Sequence, residues 1–586
     1  MTTRREGIGR GGARRVGSLA ATLLLSAGTA AAQSDVRTFS IPDTRAAAAL
    51  AERAREHLDA QRWHEALSDL QRLLEHHPND LLGAERPRAA GRQSQQDVHR
   101  GAAEWALEEL AELEGEAREL YRDQHGHEAR TVLERARASG DPRALAALAE
   151  RWPLTDAALE AAWTLGDVEL ERGHAEQARL AWGRALRRAL KLPAAPRSAA
   201  EWARAREAAA AAEAGDGVLR RIDHAQALLA RNDPDPGASS RELRLPGPGE
   251  AGHGTPSLEA SSWPRPFHLP VTHPFRSDRA NLHAVRAGET ILVSTSMSLL
   301  AVDLFSGTLR WTSGEAPGWE DLDDGERGEF FKGIDKAGAL IAPAVSQRVA
   351  VAALQVPVTQ ISNQRFNHIP ILTVIPNRRM FAFDVESGRE VWNHAPRADW
   401  DGEQGDFAER MRVAGPPVIA ASRVLVPVYR MQGRIDYHVA CYALATGELL
   451  WSTQLVSGQR ELNMFNRHSQ GFSAAPLRIE GERVIALTQL GTVAALDLFT
   501  GRIHWETLYD QNPLPPRRNH NAPRRTQSWR NAPPVVADGV VVATPVDSDD
   551  LIGVDLESGA LLWSVRQSKV SDWGRGMRTD VNLLLG

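Results

Sequence analysis

The chain has 586 residues, 42% of them hydrophobic and 25% charged, so a single compact core cannot hold it and at least two domains are expected. That composition also excludes wholesale disorder and a polytopic membrane protein. The 69 basic and 75 acidic residues leave a net charge of -6, too balanced a field to recruit nucleic acid or an anionic membrane by itself.

The N-terminus carries Arg4, Arg5, Arg10, Arg14 and Arg15, followed by an apolar run from Val16 to Ala32 that ends in Ala30-Ala31-Ala32. The run is short and rich in small residues, and the alanines offer an A-x-A cleavage site, so residues 1–32 are read as a signal peptide. The mature protein is therefore expected to be exported, to the periplasm or the extracellular space. Arg14-Arg15 matches a twin-arginine signal only in part.

Residues 43–232 are rich in Ala, Leu, Glu and Arg, with apolar positions recurring every three and four residues, which predicts a helical domain. Asp141-Pro142 and Thr155-Asp156 read as helix starts. Gln61-Arg62-Trp63-His64-Glu65-Ala66-Leu67 and, more fully, Leu165-Gly166, Gly173, Ala178, Trp182 and Ala185 resemble tetratricopeptide (TPR) repeats. In such repeats small residues let two antiparallel helices approach and an aromatic fills the space between them. The resemblance implies a TPR-like domain with a concave surface for an extended or helical peptide. His76-His77 at a helix end suits the helix dipole, and adjacent helical residues point in different directions, so no metal pair is expected there. Residues 233–280, dense in Pro and Gly from Asp233-Pro234-Asp235-Pro236-Gly237 onward, are read as a linker and lead-in.

From residue 281 to 586 the chain turns to short Val, Ile and Leu runs carrying a repeated pattern, A-x-D-x-x-x-G-x-x-x-W. Its copies are Ala301, Asp303, Gly307, Trp311; Ala382, Asp384, Gly388, Trp392; Cys441, Ala443, Gly447, Trp451; Ala495, Asp497, Gly501, Trp505; and Gly553, Asp555, Gly559, Trp563. The tryptophans lie 81, 59, 54 and 58 residues apart, periods that fit a blade of several strands. Within a hairpin the aspartate organises the turn, the glycine supplies positive φ, and the tryptophan reaches a neighbouring sheet. The small first position accounts for the lone cysteine, Cys441, as a buried structural residue rather than a reactive one. The 16 Trp against 5 Tyr follow from the same repeat. Pro343, Pro417, Pro476 and Pro534 precede the β-rich runs of four copies.

These copies resemble the PQQ-like (quinoprotein-type) β-propeller, whose four-stranded blades are locked by a tryptophan docking motif. The fold class expected is thus multidomain, α plus all-β. A TPR-like helical domain is followed by a PQQ-like propeller of about five blades. Such propellers usually have seven or eight, so an incomplete C-terminus is expected, with residues 581–586 as the start of a sixth blade.

The resemblance frames two functions: a non-catalytic protein-interaction scaffold of the cell envelope, and a quinoprotein oxidoreductase that uses PQQ and calcium to oxidise alcohols or sugars. The vicinal cysteine pair implied by the second is missing here, and the acids of the repeats are accounted for by their turns. The scaffold, with no cofactor, no catalytic residue and no metal ligand, is the expectation. Two inter-blade insertions stand out: an acidic one from Glu315 to Glu329, and a basic one with Arg517, Arg518, Arg524 and Arg525 followed by Trp529. Long loops on a rigid scaffold carry binding, so the basic loop is the candidate site for an acidic protein or peptide partner in the envelope.

Overall fold

The structure, a computed structural model, describes residues 39–42, 44–83, 98–190, 199–211, 219–223, 227, 283–295, 297–319, 342–346, 348–357, 364–366, 369–371, 377–395, 407, 410–432, 434–458, 472–513 and 528–567. The expected signal peptide, the 233–280 linker, most of the acidic insertion and the terminal 581–586 strand lie outside the described residues.

Helices α1 (Arg45–Asp59), α2 (Trp63–His76), α3 (Ala102–Glu112), α4 (Gly115–Ser139), α5 (Pro142–Arg151), α6 (Asp156–Glu171), α7 (Ala175–Leu190) and α8 (Ala199–Ala211) form the N-terminal part. Both expected starts are capped: Asp141 accepts from the Arg143 N–H at 2.9 Å with Pro142 in the first turn, and Thr155 accepts from the Ala158 N–H at 3.2 Å. Such caps satisfy N–H groups that have no partner within the helix. In the α6–α7 pair the Trp182 ring lies over Gly166, and its indole N–H donates to the Trp163 carbonyl at 3.2 Å. This is the close approach that the small residue makes possible.

The C-terminal part is built of five antiparallel units, each of four strands except the third, which has five. The first is β4 (His283–Ala287), β5 (Thr290–Ser294), β6 (Leu299–Asp303) and β7 (Leu309–Thr312). The second is β8 (Ala344–Ser346), β9 (Val349–Val356), β12 (Asn377–Asp384) and β13 (Glu390–Asn393), with a hairpin of β10 (Gln364–Phe366) and β11 (Ile369–Ile371) between β9 and β12. The third comprises β14 (Arg412–Val413), β15 (Val418–Ala420), β16 (Arg423–Gln432), β17 (Arg434–Ala443) and β18 (Leu449–Gly458), with β14 and β15 both on β16. The fourth is β19 (Arg478–Glu480), β20 (Arg483–Leu487), β21 (Thr492–Asp497) and β22 (Ile503–Leu508). The fifth is β23 (Val535–Ala537), β24 (Val540–Ala543), β25 (Asp550–Asp555) and β26 (Leu561–Arg566).

The motif maps onto the turn between the third and fourth strand of each unit. Its small residue pairs directly with its tryptophan, as in Ala301 with Trp311 and Cys441 with Trp451, and a register shift follows that pair in all five units. The five motif glycines have φ between +67° and +73°. At Gly388 a Cβ would also come within 2.5 Å of the Trp311 ring, so both backbone and contact demand glycine.

One expectation is corrected. The span 43–232 is not helical throughout: β2 (Leu81–Leu82) and β3 (Val98–Gly101) interrupt it, and they extend the fourth blade as its fifth and sixth strands in the order β19-β20-β21-β22-β3-β2. A further short strand, β1 (Phe39–Ser40), pairs with the end of β18. The segment after β2 offers no alternating pattern to announce these strands, which are too short for one. Their identity is set by the edge they complete.

Candidate interaction surface and its scaffold

The docking residues do two jobs. In each turn the aspartate accepts from backbone N–H groups: Asp303 from Phe305 at 3.0 Å and Ser306 at 2.8 Å, Asp384 from Ser387 at 2.8 Å, Asp497 from Phe499 at 3.0 Å and Thr500 at 2.8 Å, and Asp555 from Ser558 at 2.8 Å. These bonds favour the ionised form. The Asp303 carboxyl is held below the usual range by the Ser306 backbone N–H and the Arg310 guanidinium, and Asp384 and Asp555 by Ser387 and Ser558 respectively. The third unit has Ala443 in place of aspartate, and its turn closes through the backbone, Gly447 N–H to Ala443 O and Ala443 N–H to Glu448 O, both 2.8 Å, with the Thr446 hydroxyl accepting from the Glu448 N–H at 3.3 Å.

Each tryptophan then crosses to the next blade. The indole N–H of Trp311 donates to Val385 O at 2.9 Å, that of Trp392 to Leu444 O at 2.8 Å, that of Trp451 to Leu498 O at 3.2 Å, and that of Trp505 to Leu556 O at 3.0 Å. Each ring covers the following motif glycine: Gly388, Gly447, Gly501 and Gly559. A position that sequence reasoning missed reinforces the joint. Two residues after the tryptophan, Thr453 and Thr507 donate to the carbonyls of Gly501 (2.7 Å) and Gly559 (2.5 Å), and His394 Nε2 lies 2.7 Å from that of Gly447. Trp563 differs: it is 37% exposed, against 1% for Trp505, and Val565 occupies the position two residues on.

Four candidate partner-binding arginines, Arg517, Arg518, Arg524 and Arg525, lie outside the described residues. The two ends of their loop do not. Asn512 Nδ2 donates to Asp549 Oδ1 at 2.8 Å, and Ser528 Oγ donates to the same oxygen at 2.5 Å, so one carboxylate of the β24–β25 loop pins both ends. Beside it Asp547 accepts from Tyr509 Oη and Gln511 Nε2, each at 2.7 Å. Trp529, read as a partner-binding anchor beside the arginines, is 4% exposed. The alternation of basic and aromatic residues in sequence does not report which side chains turn inward.

A second set of charges, invisible in the sequence, joins the helices to the third and fourth blades. Glu150 of α5 accepts from Arg188 of α7 at 2.7 Å and from Arg502 of the fourth blade at 2.9 Å. Arg184 pairs with Asp497, the motif aspartate of that blade, and lies 3.4 Å from Glu482. His504 approaches Glu104 of α3 at 3.1 Å, Gln177 donates to Ala421 O at 2.8 Å, and Arg143 forks onto Glu448. The Arg184 and Arg423 guanidinia lie 4.9 and 4.6 Å from the Phe499 ring centre. Burial alone would raise the Glu150 carboxyl, but Arg188, Arg184 and Arg502 outweigh it and hold it at about 2. Burial likewise opposes ionisation of Asp497, and Arg184 reverses it, so that the carboxyl sits well below the usual range.

Cys441 is fully buried, and enclosure pushes its thiol up to about 12. His77, of the histidine pair, has its Nδ1 2.6 Å from Asp80. No described helix is long and apolar enough to cross a membrane.

The model of the family described as outer membrane protein assembly factor BamB matches residues 271–522 and again 436–585, together more than half of the chain. Among solved structures, BamB from Moraxella catarrhalis aligns with 48% of this chain and 60% of its own at 14% identity and a TM-score of 0.28. The quinohemoprotein alcohol dehydrogenase from Comamonas testosteroni aligns with 49% of this chain and 43% of its own at 14% identity and a TM-score of 0.31. A europium-containing methanol dehydrogenase aligns with 48% and 50% at 12% identity and 0.26. The alignment thus spans less than two thirds of each of these proteins. No curated protein matches the chain.

Proposed function

The chain belongs to the PQQ-like β-propeller repeat family whose model is that of the outer membrane protein assembly factor, and from that premise we propose that it is a non-catalytic protein-interaction scaffold of the cell envelope. The observation that carries the reading is the commitment of the repeated side chains. Asp303, Asp384, Asp497 and Asp555 are held by their own turns, and Trp311, Trp392, Trp451 and Trp505 by the next blade. What the repeats build is a rigid frame, and the loops between blades are left to bind.

On this reading the arginine loop recognises an acidic face of a partner protein. Planar guanidinia pair with carboxylates in a fork, and a loop pinned at both ends by Asp549 loses less freedom on binding. The TPR-like helical part contributes a second surface, held on the propeller through Glu150, Arg184 and Asp497. Residues 1–32 direct export, and the mature protein works in the periplasm or outside the cell.

The residues at repeated positions do not fit a quinone and calcium: the one cysteine is enclosed against Trp451, and the repeated acids are engaged in turns.

Two measurements test the proposal. Replacing Arg517, Arg518, Arg524 and Arg525 together with serine is expected to abolish salt-sensitive capture of envelope proteins while leaving the melting temperature in place. Unchanged capture at every salt concentration would dismiss the loop as the binding surface. Stoichiometric uptake of PQQ with calcium, seen as bound quinone absorbance, would replace the scaffold with a quinoprotein oxidoreductase.

A further inference from the structure

At the β9–β12 end of the second blade lies a group of buried polar side chains that no partner satisfies. Arg378 and Gln355 are directly opposed residues on adjacent antiparallel strands, so their side chains share one face of the sheet. Gln355 is fully buried with both its Nε2 and its Oε1 unpartnered, and Arg378 is 7% exposed with an unpartnered Nε. Asn377, next in the strand, has a buried Oδ1 in the same state. Among the described residues no carboxylate pairs with Arg378. Burial pushes its guanidinium below the usual value, and the ionisable neighbour acting on it is the phenol of Tyr429. Arg379, by contrast, donates to Met411 O at 2.8 Å.

Buried polar groups in folded proteins are hydrogen-bonded almost without exception, and an unpaired buried cation is the most costly of them. Other buried cations of the frame have partners: Arg184 has Asp497 and Glu482, Arg188 and Arg502 have Glu150, and Arg379 has the Met411 carbonyl. Arg378, with its Nε unpartnered and no carboxylate beside it among the described residues, has none of these. We propose that Arg378 and Gln355 form a binding site for an organic carboxylate at this end of the second blade.

One guanidinium supplies one positive charge in a planar fork, which matches a carboxylate in both charge and shape. The amide nitrogen of Gln355 supplies a further donor to the same group. Its free Oε1 asks for a donor in return, which selects a carboxylate with a neighbouring hydroxyl or N–H, as in a hydroxy acid or in an acidic residue of a peptide. The two sources share this chemistry. The proposal does not depend on the scaffold reading.

The test is thermal unfolding of the full chain with glycolate, acetate or a short capped Asp-containing peptide, at an ionic strength held constant with chloride. A rise in melting temperature that saturates with ligand is expected, larger for glycolate than for acetate. A response to the free acids alone assigns a small-molecule site, and one to the peptide alone assigns a partner's acidic residue. Arg378→Met is expected to melt higher than the parent without ligand, because it removes an unpaired buried charge, and to lose the ligand response. Arg378→Lys, which keeps the charge without the fork, and Gln355→Leu should each weaken apparent affinity at least tenfold. The absence of any response from the parent chain, or an equal response in the variants that fold, would overturn the proposal.

Discussion

Trp505 and Trp563 occupy the same place in the repeat, yet one is enclosed and the other 37% exposed, so the two substitutions separate packing from local propensity. Trp505→Ala should cost about 3–5 kcal/mol, the usual penalty for emptying a buried aromatic site, and Trp563→Ala distinctly less. Equal losses in chemical denaturation would mean that the indole acts within its own hairpin and not across the blade joint. A second residue-scale case is Glu506, fully buried on β22, where burial pushes its carboxyl up to about 8 against the opposing effect of Thr492. A carboxyl raised in the folded state stays protonated while the unfolded chain ionises. Its contribution to stability is therefore lost as pH rises from the ordinary carboxylate range to about 8, by up to about 1.4 kcal/mol per pH unit. Glu506→Gln should be more stable than the parent at pH 7.5 and converge with it toward pH 4.5. Parallel stability curves for the two proteins would show that Glu506 finds a partner once ionised.

At the scale of the element, the motif turns were legible in the sequence because their chemistry is local. An aspartate reaching N–H groups two and three residues ahead, and a glycine at positive φ, need nothing from elsewhere, and the structure returns both. The blade joint was half legible: the tryptophan announced it, but the hydroxyl two residues on, Thr453 or Thr507, carries no signature, because Thr is common in strands for other reasons. The added strand β3 was not legible at all. Gly101 sits so close to the fourth blade that a Cβ there would lie 1.6 Å from Ile503 O, and only the folded neighbour reveals why glycine is needed. Gly101→Val should therefore detach β3 from β22 and raise amide exchange at Trp505, Glu506 and Thr507, the positions paired with β3. Retained protection there would place the attachment in the helices instead.

For the whole molecule, helices in the N-terminal part and propeller-type blades in the C-terminal part were legible in the sequence, but the contacts that join them were not. Charge pairs such as Arg184–Asp497 join residues that no periodicity relates, and Asp497 already had a sufficient role in its turn. Because these groups are deeply buried, Arg184→Ala leaves Asp497 and Glu482 without their cation, and a loss of about 3–5 kcal/mol is expected. The exposed Arg143–Glu448 pair should matter little when broken. Two separate unfolding transitions in the Arg184 variant, against one in the parent, would mark the helices and blades as uncoupled. The same contacts also set a timetable for biosynthesis. Glu150 and Arg502 are 352 residues apart, and at roughly 5–20 residues per second a ribosome needs about twenty seconds to over a minute to deliver the second after the first. Throughout that interval the nascent helices carry an acid without one of its arginines and an edge strand without its sheet, so the first half of the chain is the part most in need of a chaperone.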